Sequence, residues 1–247
     1  MTAGEERRFI LSAEKLTGEA INRWGLIAAG DKVAVGLSGG KDSFALLDIL
    51  ANRRRRLPIT YELFAVHVDF SDVPYKIDTD AAADFCSKLN VPFTVIQSTA
   101  GISPEYQPCL TCSKRRRSEL FEFCRRTNCT SLALGHHKDD IIETMLLNLI
   151  FDGSISSMPP KLPLFGGKLN LIRPLALMSE QTLREYAALR RFPRQLQNCP
   201  HEDKSRRKDA KLLVAQMEKM NPLARTSIFN ALGNIKQEYL PSGADCR

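Results

Sequence analysis

Apolar positions follow two alternating rhythms along this chain. Short apolar runs stand at 32–37, 61–68, 92–96, 130–134 and 169–173. Between and around them, at 12–28, 42–54, 75–89, 112–127, 138–151 and 179–190, apolar residues recur every three or four positions. The runs predict buried strands and the spaced stretches predict amphipathic helices. Strands alternating with helices define an α/β class, a parallel sheet with helices on both faces. Gly101, Pro104 and Pro108 mark 97–108 as a loop, and three prolines with three glycines mark 152–168 as an excursion loop. Beyond Pro193 the pattern changes to a basic helix at 204–220 and a last helix near 222–234. The expected organisation is a helical segment at 1–30, an α/β domain at 31–195 and a basic helical extension at 196–247.

The first strand runs into residues 38–43, S-G-G-K-D-S, and then directly into a helix. A strand, a glycine turn and a helix N-terminus aim several backbone N–H groups at one point, where the helix end adds partial positive charge. Gly39 and Gly40 allow a phosphate close approach, Ser38 and Ser43 supply hydroxyls, and Lys41 supplies a charge. Asp42 offers a carboxylate suited to Mg²⁺. The spacing is not that of a Walker A loop, which needs four residues between its glycine and its Gly-Lys.

Strand 130–134 ends in a second turn, Gly135-His136-His137-Lys138-Asp139-Asp140, with Glu143 one turn on. It is expected at the same sheet edge as the first, because ligands of such sheets bind beyond the carboxyl ends of the strands. Asp139 or Asp140 also suits a helix cap, a role compatible with function.

Charge and cysteine usage narrow the partners. Lys and Arg number 35 against 28 Asp and Glu, a net charge of +7. The excess is clustered at 53–56, at 114–117, and at Lys204 with 206–208. Each block alone reads as a solvated helix face; three together favour a polyanion such as RNA. No apolar run reaches membrane-spanning length and the N-terminus lacks an apolar signal core, so a soluble cytoplasmic protein without a membrane partner is expected. Seven cysteines in such a chain point away from disulfides and towards metal or redox use. Cys109 and Cys112 form a C-x-x-C turn at a helix start beside cations, an arrangement that favours thiolates. Cys86, Cys124 and Cys129 sit among apolar neighbours as small core residues, and Cys246 lies in the terminal tail. Cys199 is the natural third ligand. Three thiolates suit either zinc, with His201 as the fourth ligand, or a [4Fe–4S] cluster with one open iron. Spacing alone leans to zinc.

S-G-G-K-D-S resembles the pyrophosphate loop of the ATP-pyrophosphatase (PP-loop) superfamily. Taken with P-C-L-T-C before an arginine cluster, L-G-H-H-K-D-D-x-x-E-T, M-P-P-K, I-R-P-L and a late cysteine, the chain resembles the tRNA 2-thiocytidine synthetase (TtcA) family from about residue 12 to 241. The resemblance implies binding of ATP, Mg²⁺ and a [4Fe–4S] cluster held by Cys109, Cys112 and Cys199, reversing the lean to zinc. It implies an anticodon-loop cytidine of tRNA as substrate. ATP adenylates the base carbonyl, and sulfur comes from a cysteine desulfurase or free sulfide. Lys41, Asp42 and Asp139 take the catalytic positions. Ser38, Gly39, Gly40, Ser43, Gly135, His136 and Asp140 line the nucleotide site, and His67 and Val68 border the adenosine. A homodimer is a further implication. Two departures stand out: Cys199-Pro-His-Glu replaces a second C-x-x-C, and Ser118 stands where a glycine often follows the arginines. Absence of zinc-ribbon termini argues against the related 2-thiouridine branch. Two rival readings keep the ATP chemistry: sulfur transfer to a small heterocycle, or ammonia transfer with a structural zinc.

Overall fold

A computed structural model describes residues 2–56, 59–99, 101, 108–193, 195–197 and 206–239, without the side chains of 108–110 and 195–197. The first helix, α1 (Ala3–Trp24), starts well before the expected position 12, because Thr2 and Glu5 form a capping box that the apolar spacing does not register. There follow β1 (Lys32–Gly36), α2 (Lys41–Arg54), β2 (Glu62–Phe70), β3 (Lys76–Ile77), α3 (Thr79–Lys88) and β4 (Phe93–Ser98). Next come α4 (Pro108–Thr127), β5 (Ser131–Ala133), α5 (Lys138–Phe151), β6 (Lys161–Leu164), β7 (Leu169–Ile172) and α6 (Glu180–Arg190). The order ends with β8 (Gln195–Gln197), α7 (Arg207–Met220) and α8 (Ala224–Ala231).

Six strands make one sheet in the order β4-β2-β1-β5-β7-β6, parallel throughout except for β6, which pairs antiparallel with β7 at the edge. Strand pleating splits the core in two, because successive residues face opposite sides. Val33, Val35 and Leu37 join one cluster with α1, α2, α3 and α6, whereas Ala34 joins the other with Leu120, Phe123 and Cys124 of α4. Helices therefore cover both faces, as the alternation of runs and spaced stretches predicts. The cysteines assigned to the core are there: Cys86, Cys124 and Cys129 are all buried free thiols.

Three short strands were not legible beforehand. β6 lies in the segment expected to be an excursion loop. β3 and β8 pair antiparallel in a separate two-stranded sheet. β3 occupies the expected start of a helix, which instead begins after the Asp78 cap. Helix α4 opens on Pro108 rather than near 112, the first-turn position where a missing N–H costs nothing.

The chain divides into two compact units, one of residues 1–138 and 159–205, the other of 139–158 and 206–247. The larger holds the sheet. The smaller packs Ile142 and Leu146 of α5 around Val214 of α7, with Leu213, Met217, Ile228 and Phe229 against them.

Candidate active site

Residues 38–40 turn the chain from β1 into α2 at the carboxyl edge of the sheet. Gly39 has φ +85°, and a Cβ there would run into the Ile77 side chain and stand 2.8 Å from the Tyr75 hydroxyl. Gly40 is the N-cap of α2 and has no side chain to cap it, so the first-turn N–H groups lack a side-chain acceptor. The Ser43 hydroxyl donates to the Gly40 carbonyl at 2.8 Å, and Ser38 and Ser43 Oγ lie 3.4 Å apart. Lys41 Nζ is 3.1 Å from Asp42 Oδ2, while Asp42 Oδ1 is buried without a hydrogen-bond partner. An unpartnered buried carboxylate oxygen beside uncapped amides suits a cation–phosphate pair, and so fits Mg²⁺ with ATP.

The second turn presses on the first. A Cβ on Gly135 would stand 3.0 Å from the backbone carbon of Asp42 and the backbone nitrogen of Ser43. Glycine here lets the end of β5 seat directly against the head of α2. His136 is partly buried and His137 buried beside it. In the smaller unit, Asp139 is buried and paired with Arg225, which also reaches Glu218 at 2.7 Å; Asp140 faces Arg207 at 3.3 Å. Glu143 is buried, and desolvation pushes its carboxyl up to about 7, with Asp140 and Asp139 adding to the rise and Lys211 and Arg207 opposing it.

His67 and Val68 are both buried in β2. His67 Nδ1–H donates to the Leu37 carbonyl at 2.8 Å, tying β2 to the chain just before the glycines. Burial holds this imidazole below its ordinary pKa against the opposing effect of that bond, so the ring is neutral and supports the loop from beneath.

A chain of contacts in the larger unit joins the loop to the cysteine turn. The Tyr75 hydroxyl donates to the Ser38 carbonyl. The Arg116 guanidinium lies over the Tyr75 ring at 5.8 Å and the Phe70 ring at 5.6 Å, with Nη2 3.8 Å from Cys112 Sγ. Arg116 Nε is buried with no hydrogen-bond partner. A guanidinium beside a thiol favours the thiolate that metal binding requires. Cys109 and Cys112 lie three residues apart on the first turn of α4. Cys199 and His201 fall outside the described residues, and no group of metal-ligating side chains is complete among the described ones.

Sequence reasoning missed Tyr75 and counted Arg116 only as part of the basic block at 114–117. The four-residue spacing from Cys112 to Arg116 was a usable signal, since it puts both on one helical face. Nothing local marked Tyr75. Arg191, also missed, lines a cavity of about 650 Å³ with Gly39, Gly40, Lys41 and Phe192. That volume is in the range of small-molecule sites.

This geometry is that of a nucleotide-binding α/β domain, and residues 12–198 match the PP-loop domain family. The chain is 37% identical over 243 residues to the tRNA-cytidine(32) 2-sulfurtransferase of Paraburkholderia phymatum, covering 96% of this chain and 72% of that protein. With the same enzyme of Burkholderia mallei it is 38% identical over 245 residues, covering 96% and 73%. The chain belongs to the family of the tRNA-cytidine(32) 2-sulfurtransferases, PP-loop proteins. Among solved structures, the U34-tRNA thiolase NcsA from Methanococcus maripaludis with its [4Fe-4S] cluster shares the fold, with TM-score 0.78, 23% identity, and coverage of 96% and 81%. No described helix is long and apolar enough to cross a membrane.

Proposed function

We propose that this chain uses ATP to replace the C2 oxygen of a cytidine in tRNA by sulfur. The carrying observation is the contact path from Ser38 through Tyr75 and Arg116 to Cys112, which links the glycine turn to the cysteine turn within one unit and so supports this reading. Ser38, Gly39, Gly40 and Ser43 hold the ATP phosphates, Lys41 offsets their charge, and Asp42 places Mg²⁺. The cytidine O2 attacks the α-phosphorus and pyrophosphate leaves, its charge stabilised by the loop amides and Lys41. Sulfide then attacks C2 and AMP departs with the oxygen, so no oxidant or reductant is consumed. Gly135 and His136 line the reacting centre in this reading.

Cys109, Cys112 and Cys199 would hold a [4Fe–4S] cluster, and Arg116 sets a positive charge beside Cys112. When bound, such a cluster on three thiolates leaves one iron able to hold sulfide. The sulfur originates from free sulfide, or from a cysteine desulfurase whose persulfide a thiol reductant converts to sulfide, and the protein works in the cytoplasm as a homodimer.

The test is incubation of anaerobically purified protein with unmodified tRNA, MgATP and sulfide, followed by nucleoside mass spectrometry and metal analysis. Thiocytidine with about one AMP per sulfur, and iron lost in Cys112→Ala and Cys199→Ala, is the expected result. Zinc without iron, or AMP formation without thiolated nucleoside, would overturn the assignment.

A further inference from the structure

Helix α4 carries more than the cysteine turn. It is the crossover between the parallel strands β4 and β5, so it starts at the carboxyl edge of the sheet and descends to the opposite edge. Lys114, Arg117, Phe121 and Arg125 are spaced three or four residues apart and form one stripe down its length, spanning about 16 Å. The stripe borders a cavity of about 950 Å³, whose far wall is the tip of the β6–β7 hairpin, with Phe165 and Lys168.

The charges on this surface are unequal. Arg125 is neutralised by Glu122 through bonds of 2.8 and 2.7 Å. Lys114, Arg117 and Lys168 are exposed, and no carboxylate pairs with any of them among the described residues. Their spread over two separate elements distinguishes the surface from the solvated face of a single helix.

The apolar part is also built. Phe165 has φ +52°, a backbone conformation that L residues other than Asn and Asp seldom adopt, and it remains 61% exposed. Gly166 and Gly167, also at positive φ, follow it with open space around them, so the hairpin tip displays the ring at the expense of backbone comfort. The ring meets Phe121 edge-to-face at 5.5 Å. An exposed aromatic flanked by unpaired cations is what single-stranded RNA asks of a surface: a platform for an unstacked base and charges for the adjoining phosphates.

We propose that the cavity between α4 and the β6–β7 hairpin is a docking subsite for an unstacked nucleotide of tRNA, one removed from the base that reacts. The ring of Phe165 stacks on that base, and Lys114, Arg117 and Lys168 hold its flanking phosphates. This rests on the tRNA reading above. Because α4 descends from the cysteine turn, the subsite sets the register of the RNA on the protein without touching the reacting atoms.

The experiment measures tRNA binding against salt concentration, ATP binding, and thiocytidine formation for wild type, Phe165→Ala, Phe165→Trp and the triple variant Lys114→Ala/Arg117→Ala/Lys168→Ala. Phe165→Ala keeps the same backbone demand and weakens tRNA binding about five- to a hundredfold. Phe165→Trp restores it. The triple variant flattens the slope of log affinity against log salt by about two. ATP binding is unchanged in all, which also shows that they fold. If Phe165→Ala or the triple variant binds tRNA like wild type while wild type thiolates it, the subsite is wrong and the functional reading stands. If wild type binds no tRNA, both fall. An acidic peptide that binds wild type but not the triple variant, while tRNA affinity is the same with and without it, would assign the surface to a protein partner and overturn the proposal.

Discussion

Glu143 on α5 and Gly135 in the second turn show how single residues translate burial into measurable behaviour. The Glu143 carboxyl titrates near 7 in the folded protein, mainly through desolvation, against an ordinary value of 4.5. Between those values the folded state holds a proton that the unfolded state has released, so stability falls as pH rises from about 4.5 to 7 and stays low above. Glu143→Gln removes this dependence. Its melting temperature is expected to exceed wild type at pH 8 and to match it near pH 4; equal behaviour at both would show that the carboxyl is already solvated. Gly135→Ala acts by volume. Its methyl meets backbone, which cannot swing away like a side chain, so the head of α2 shifts at a cost of about 1–3 kcal/mol. ATP affinity should drop along with melting temperature, and unaltered ATP binding would separate the second turn from the nucleotide site. At this scale the sequence was informative where chemistry is local. S-G-G-K-D-S can be read because amides, hydroxyls and charge all come from consecutive residues. Tyr75 could not, since its role depends on a two-stranded sheet formed with a segment more than a hundred residues away.

The loop keeps its position only if α2 is held from behind, and the holding is polar. Asp48 on α2 is fully buried, accepts bonds of 2.7 and 2.6 Å from Arg190, and receives the Tyr186 hydroxyl at 2.6 Å. Burial and the neighbouring carboxylate both push the Tyr186 phenol up, and the bond to Asp48 keeps it protonated. Phe192, just past α6, stacks on Phe44 at 6.1 Å and closes the same interface. Arg190→Ala would leave a buried carboxylate with one neutral donor, costing about 3 kcal/mol or more. The expected outcome is a large fall in the denaturation midpoint, whereas Arg184→Ala on the exposed side of α6 leaves it nearly unchanged; similar midpoints for the two would dismiss the network as a stabilising element. The elements themselves were legible in proportion to their length. Helices and buried parallel strands carry enough apolar residues to impose a period. The two- to four-residue strands β3, β6 and β8 do not, and β6 is further hidden by Pro163, tolerated only because it sits on an edge strand. The start of α1 was lost for another reason: the capping box lies in a polar stretch with no apolar rhythm.

At the level of the whole chain, the larger unit contains the glycine loop, the cavity of about 650 Å³ beside it and the contact path to Cys112. A ligand that binds only the folded form of this unit stabilises it by mass action, by about 2.7 kcal/mol at a hundredfold excess over its dissociation constant. For a unit of this size that is a rise of about 5–10 °C in its melting transition. MgATP should produce this shift and ATP with a chelator should produce less of it, because Asp42 Oδ1 is buried and unpartnered and depends on a cation to bring it together with phosphate. Asp42→Asn should therefore erase the difference between MgATP and chelated ATP while retaining part of the shift, since the loop amides and Lys41 still meet the phosphates. Calorimetry on wild type and this variant decides the matter. A variant that responds to Mg²⁺ as wild type does would remove Asp42 from the metal site. A wild type that ignores ATP altogether would leave the glycine turn as a connection between a strand and a helix, with the chemistry proposed for it unsupported.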